Sequence, residues 1–227
     1  MLVFGHRGVM GEGFGENTWD AFEAALGMGV DGIETDLRRT RDGWLVLFHD
    51  RLCANGDPVA EVTRAGLEAA EGHEVPELGE VLGRWPEVLW NLELKAPDLV
   101  EPLAAVPEAR DHPSLVVSSF FHDIIHDHAE RLRHPLGLII NHRPVSMRAF
   151  LGEWTARPLD WCVWNLDFVD RTRLEAARAA GITNILYNLH TPADLHWAEE
   201  WPVSGVIMDQ PELALGRGHG HGKGGTA

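Results

Sequence analysis

Short apolar runs recur along the chain, each ending in polar residues and most followed by a stretch of helical periodicity. The first, Leu2, Val3 and Phe4, reads as a buried strand that ends in Gly5-His6-Arg7-Gly8 and so delivers two polar side chains to its C-terminal end. Asn17 or Thr18 is placed to cap a helix in which Phe22, Ala25 and Leu26 recur at helical spacing up to Gly29. In Gly32-Ile33-Glu34-Thr35-Asp36-Leu37, alternation puts Ile33, Thr35 and Leu37 on one strand face and Glu34 with Asp36 on the other. Thr40-Arg41-Asp42-Gly43 is a hairpin signal, because Asp-Gly supplies the positive φ that a tight reversal needs. Residues 44–48 then return as an antiparallel strand ending in His49-Asp50, which should carry His49 back towards Glu34 and Asp36.

Residues 51–75 carry only a weak helical pattern around Leu67. Pro76 is placed to open a helix with a stripe of Leu78, Val81, Leu82 and Trp85. Residues 88–95 alternate again, with Asn91, Glu93 and Lys95 on one face and Leu92 and Leu94 on the other, and Pro97 stops the strand. Further strands are predicted at 115–120, 136–140, 161–165, 185–189 and 205–209, with helices at about 121–133, 145–154, 170–180 and 192–201 between them. Without the hairpin arm, eight strands remain, which is the count of a TIM (β/α)8 barrel with a small antiparallel hairpin extension after the second strand. An open doubly wound sheet would want a G-x-G-x-x-G loop after its first strand, and Gly5, Gly8, Gly11, Gly13 and Gly15 do not provide that spacing. The expected organisation is one catalytic barrel over residues 1–215 and a Gly/His-rich disordered tail over 216–227.

Composition narrows the chemistry. With 227 residues, 44% hydrophobic and 24% charged, the chain is of ordinary globular make-up, and a formal charge of −16 leaves no basic footprint for nucleic acid. No 18-residue apolar run or secretory leader is evident, so no stable membrane anchor and a cytoplasmic location are expected. Cys53 and Cys162 are too few and too far apart for a disulfide framework or a metal knuckle. Oligomeric state is not encoded in any feature of the chain.

Barrel geometry gathers the polar strand ends, because chemistry on this architecture sits at the C-terminal ends of the strands. His6, Arg7, Glu34, Asp36, His49, Glu93 and Lys95 all fall there. Three carboxylates sharing a poorly solvated space repel one another unless a cation lies between them, and oxygen ligands suit Mg²⁺ or Ca²⁺ rather than zinc. Two histidines suit a general acid and a general base. Arg7 offers a bidentate fork, and Lys95 a point charge, for phosphate oxygens. Together these parts specify phosphoryl transfer at a diester.

The same residues resemble the glycerophosphodiester phosphodiesterases. The resemblance runs through His6-Arg7-Gly8, Glu16-Asn17-Thr18, the strand from Gly32 to Leu37, His49-Asp50, Val75-Pro76-Glu77-Leu78, Asn91-Leu92-Glu93-Leu94-Lys95, Ser118-Ser119-Phe120 and the segment from Gly205 to Pro211. It implies a TIM barrel that hydrolyses glycerophosphodiesters to an alcohol and glycerol 3-phosphate, a reaction of lipid and glycerol metabolism. It further implies His6 and His49 as the acid/base pair, Glu34, Asp36 and Glu93 as ligands of a divalent cation, Mg²⁺ or Ca²⁺, and Arg7 and Lys95 as phosphate contacts. Two departures, Arg51-Leu52-Cys53-Ala54-Asn55-Gly56 after His-Asp and Tyr187-Asn188-Leu189-His190 near the end, fall where a leaving group would be contacted, which makes Tyr187 a substrate-binding candidate. Sphingomyelinase D-like and lysophospholipase D-type phosphodiesterases are similar too, and a barrel that binds a phosphodiester without turning it over is the alternative of a different class.

Overall fold

The computed structural model describes residues 1–11, 13–152, 154 and 157–216. Eight parallel strands close into a barrel: β1 (Leu2–His6), β2 (Gly32–Arg39), β4 (Leu89–Leu94), β5 (Leu115–Ser119), β6 (Leu136–Ile140), β7 (Trp161–Asn165), β8 (Thr183–Tyr187) and β9 (Gly205–Met208). β1 pairs in parallel with both β2 and β9, so the ring has no open edge. β3 (Leu45–Leu47) is the extension, antiparallel to β2 with Leu37 opposite Leu47. The hairpin and the eight-strand count are therefore as the alternation predicts.

Two apolar layers hold the ring. Phe4, Ile139, Val163, Ile185 and Ile207 fill the inside of the barrel from five strands. The alternate residues, among them Ile33, Leu37, Trp90, Leu92, Leu138, Trp164 and Leu186, face outwards and pack with Phe22, Leu78 and Leu174 of the surrounding helices. Strands buried on both faces need apolar residues at nearly every position, which is why these runs stand out in the sequence. Both cysteines are free and buried.

Helix ends differ from expectation where the backbone has another use. α1 (Trp19–Met28) starts at Thr18, whose hydroxyl accepts from Ala21 N at 3.3 Å, and ends at Gly29, φ 85°. α2 (Arg64–Glu71) accounts for the weak pattern around Leu67 and is capped by Thr63. α3 (Leu78–Arg84) begins two residues beyond Pro76, because Pro76 gives its carbonyl to Leu47 N at 2.9 Å and the Glu77 carboxylate caps the helix instead. Two short helices, α4 (Val100–Ala105) and α5 (Pro107–Arg110), fill a stretch in which no element is predicted. The predicted helices at 121–133 and 145–154 shrink to α6 (His122–Asp127) and α7 (Met147–Gly152). α8 (Arg171–Ala179) and α9 (Pro192–Glu200) lie close to their expected spans, the second closed by a Thr191–Asp194 capping box. β8 ends at Tyr187, two residues before the predicted end, because Asn188 takes a left-handed φ of 68° and breaks the extension. No described helix is long and apolar enough to cross a membrane. The predicted tail, apart from Gly216, lies outside the described residues.

Candidate active site

The Gly5-His6-Arg7-Gly8 turn is wedged between β2 and α1. Arg7 N donates to Glu34 O at 2.8 Å, Arg7 O accepts from Asn17 N at 2.9 Å, and Arg7 itself has a positive φ of 56°. Gly8 adopts φ +94°, and a Cβ there would lie 2.7 Å from the backbone carbon of Ala21. Only glycine permits this approach, and the approach is what aims His6 and Arg7 over the mouth of the barrel.

Strand register does the rest. His6 lies opposite Glu34 across β1 and β2, and Asp36 opposite Glu93 across β2 and β4. One oxygen from each of Glu34, Asp36 and Glu93 lies within 4.8 Å of the others. The three are 4%, 1% and 6% exposed, so water does little to screen them. Burial, reinforced by the Asp36 and Glu93 charges, pushes the pKa of Glu34 well above its ordinary value. Burial likewise raises Glu93 to about 7, against the pull of Lys95. At Asp36 burial also favours the neutral acid, but Lys95, Arg7 and the Asn17 amide outweigh it and leave the pKa low.

The cations are built in. Lys95 Nζ lies 2.9 Å from Glu93 Oε1 and 3.3 Å from Asp36 Oδ1, and Arg7 Nε is 3.2 Å from Asp36 Oδ2. Two permanent cations thus face three carboxylates, and Glu34 Oε2 and Asp36 Oδ1 accept no hydrogen bond among the described residues. Three buried carboxylates converging from two strands, two of them with such an oxygen, are a donor set that fits a hard divalent cation. The acidic triad could therefore bind a metal.

The histidines flank this group. His6 Nδ1 is bonded to the Asp209 carboxylate, and Nε2 lies 3.7 Å from Glu34 Oε2. The hydrogen bond from His6 keeps the pKa of Asp209 low. His49 Nδ1 is bonded to Asp50 at 2.8 Å, and the hairpin is latched to β2 by Arg38, whose Nε and Nη2 donate to His49 O at 2.8 and 2.6 Å. Burial lowers the pKa of His49, opposed by Asp36 and assisted by Lys95, which favours the neutral ring. Tyr187 lies near enough to Glu93 to feel its charge; its ring meets Phe120 edge-to-face at 6.5 Å, and its hydroxyl is bonded by Asn165.

The sequence matches the Glycerophosphoryl diester phosphodiesterase family over residues 6–213. The chain belongs to that family. It is 27% identical to the glycerophosphodiester phosphodiesterase of Caldanaerobacter subterraneus over 240 residues, spanning 94% of this chain and 96% of that protein. Its fold superposes on the glycerophosphodiester phosphodiesterase of Thermotoga maritima with a TM-score of 0.83 at 23% identity, over 95% and 97% of the two chains. An Oleispira antarctica phosphodiesterase, solved with the product sn-glycerol-3-phosphate, superposes with a TM-score of 0.78 at 22% identity and 95% coverage of each chain. The protein is accordingly a glycerophosphodiester phosphodiesterase, a phosphoric diester hydrolase.

Three residues of this phosphodiesterase's mouth escape a reading of strand ends. Asp209 follows β9 in phase with Ile207 and Gly205, so alternation places it on the inward row; its partner, 203 residues away, is what the sequence conceals. Asn17, buried in a left-handed conformation with φ 54°, donates to Asp36 Oδ2 at 2.9 Å and accepts from the Thr35 hydroxyl at 2.6 Å. Glu16 accepts from Arg7 Nη1 at 2.6 Å. Asparagine tolerates a positive φ better than most residues, and that tolerance is the available signal.

Proposed function

We propose that the enzyme hydrolyses glycerophosphodiesters to an alcohol and glycerol 3-phosphate in a metal-dependent reaction, with His6 and His49 as the acid/base pair. The supporting observation is the buried Glu34–Asp36–Glu93 cluster, short of donors and flanked by two histidines that are each bonded to a carboxylate. Glu34, Asp36 and Glu93 would hold Mg²⁺ or Ca²⁺, which when bound supplies positive charge to a phosphoryl oxygen. Arg7 and Lys95, both already turned towards the carboxylates, bind the remaining phosphate oxygens and stabilise the charge that develops at phosphorus. The ring of His49 accepts the proton of the nucleophile, water or the neighbouring glycerol hydroxyl; in the second case a cyclic phosphate forms and water then opens it to glycerol 3-phosphate. His6, held by Asp209 so that Nε2 faces the cluster, protonates the departing alcohol. Tyr187, across the mouth, contacts the substrate with its ring.

The test is release of glycerol 3-phosphate from glycerophosphocholine by chelator-treated protein, with and without added Mg²⁺ or Ca²⁺. Loss on chelation and recovery on addition are expected. Full activity after thorough chelation refutes the metal dependence.

A further inference from the structure

Beside the acidic cluster lies a cavity of the opposite sign. It has a volume of about 510 Å³ and is lined by Arg38, Arg39, Arg41, Arg51, Lys95 and a single carboxylate, Asp98, among others. Five cations around one hollow are conspicuous in a chain whose formal charge is −16. Lys95 is paired with Asp36 and Glu93, but the arginines are less compensated. Arg39 Nη1 is 3.7 Å from Asp98, both side chains being well exposed, while Arg41 and Arg51 make no ion pair among the described residues. Arg38 bonds the carbonyl of His49 through two of its nitrogens, and its Nη1 makes no hydrogen bond among the described residues. Gathered like charges repel, and an anion placed among them relieves that repulsion.

The cavity adjoins the proposed reaction centre through Lys95. Arg38 follows Glu34 and Asp36 in the inward row of β2, and Lys95 follows Glu93 beyond β4. Lys95 lines the cavity and also touches both Asp36 and Glu93. A diester whose phosphorus lies at the carboxylate cluster would thus extend one of its two arms into the basic hollow. The volume falls in the range of small-ligand sites, and Phe121, Pro58 and Val59 give it an apolar side against which a carbon skeleton can lie.

We propose that this cavity receives the leaving alcohol and selects alcohols bearing an anionic group of their own, a phosphate monoester or a carboxylate, which the Arg41 and Arg51 guanidinium forks bind bidentately. The inference rests on the function proposed above and adds the class of substrate to it.

The full chain, wild type and the double variant Arg41→Ala/Arg51→Ala, is to be assayed on three diesters. They are a glycerophosphoinositol monophosphate, with a phosphate on the alcohol, glycerophosphoserine, with a carboxylate, and glycerophosphocholine, with neither. Wild type is expected to favour at least one anionic diester over the choline diester in kcat/KM by about tenfold or more, the scale of one charge-assisted hydrogen bond. The double variant should lose about that factor in the ratio, mainly through KM, and the wild-type preference should shrink between about 50 and about 500 mM NaCl. The inositol and serine arms identify which anion the site takes. A wild type that turns over the choline diester as well as both anionic ones, or a ratio that the double variant leaves unmoved, overturns the proposal. If no diester is hydrolysed, the function proposed above fails, and calorimetric titration with inositol monophosphate still decides this one. Binding that weakens about tenfold in the double variant supports it, and no binding by wild type overturns it.

Discussion

Two arcs of one ring are made from the same strand-and-helix unit and differ in what they turn inwards. Along β1, β2 and β4 the inward row carries His6, Glu34, Asp36 and Glu93. Along β6 to β9 it carries Ile139, Val163, Ile185 and Ile207, packed with Phe4 of β1, and the carboxylate of Asp209 follows only beyond the strand end. Backbone pairing is parallel throughout the ring, so the ladder does not distinguish the arcs. The aliphatic arc excludes water and stabilises the ring; the ionisable arc is held in register by its neighbours and accepts unfavourable electrostatics in return for reactivity. Burial on that ionisable arc, reinforced at Glu34 by its acidic neighbours, is what raises Glu34 and Glu93 away from ordinary carboxylate behaviour.

The contrast is broken most severely at the histidines. His6→Ala and His49→Ala should each lower kcat by on the order of 10²- to 10⁴-fold, with glycerol 3-phosphate release as the readout. Thermal unfolding should barely move, because neither ring belongs to a packed apolar cluster. Ile185→Ala on the opposite arc should do the reverse. Ile185 is fully buried, and its truncation is expected to cost about 2–5 kcal/mol in denaturant unfolding while activity per folded molecule is largely kept. An Ile185→Ala protein of unchanged stability would mean that the aliphatic arc does not carry the ring.

A third substitution refines the comparison. Glu34→Gln replaces a carboxyl group whose ionisation burial and its acidic neighbours oppose, so the metal-free variant should unfold at the same temperature as the wild type or a few degrees above. The wild type should gain further stability from added Mg²⁺ or Ca²⁺, whereas the variant should gain much less. Equal stabilisation of both proteins by the cation would argue against Glu34 as a ligand.

The smallest effect concerns pH. His112 and His134 lie just before β5 and β6, at the end of the ring opposite the carboxylates, and burial lowers the pKa of both below the unfolded value of about 6.5. The unfolded chain therefore binds protons more readily than the native one, so this contribution is intact above about pH 6.5 and falls away as the pH drops towards the folded values. Gln replacements at the two positions should flatten the pH dependence of unfolding below about pH 6.5.

How far the sequence discloses this arrangement depends on range. Glu34 and Asp36 are legible because a two-residue spacing on a strand is a local fact, and His49 because Asp42-Gly43 announces its hairpin. α4 and α5 are not, since helices of six and four residues hold too few turns to show a period. Residues 121–133 look like a longer helix because the pattern of Ile124, Ile125 and Leu132 continues after the backbone has left the helix at His128. Asn17 and Asp209 escape for the opposite reason: each is an ordinary local residue whose partner is far along the chain. The register that brings together Asp36 with Glu93 and His6 with Glu34 follows from counting strands, and the pairing of Lys95 with Glu93 from their shared strand face.

The bond between His6 and Asp209 joins the first strand to the residue just beyond the last, across the seam where β1 meets β9. In a refolding experiment that seam is among the contacts of longest sequence separation, and such closures are the slow events of folding. Turnover then serves as a clock for ring closure. Helical signal should return first, and hydrolysis only when the two ends of the barrel have met.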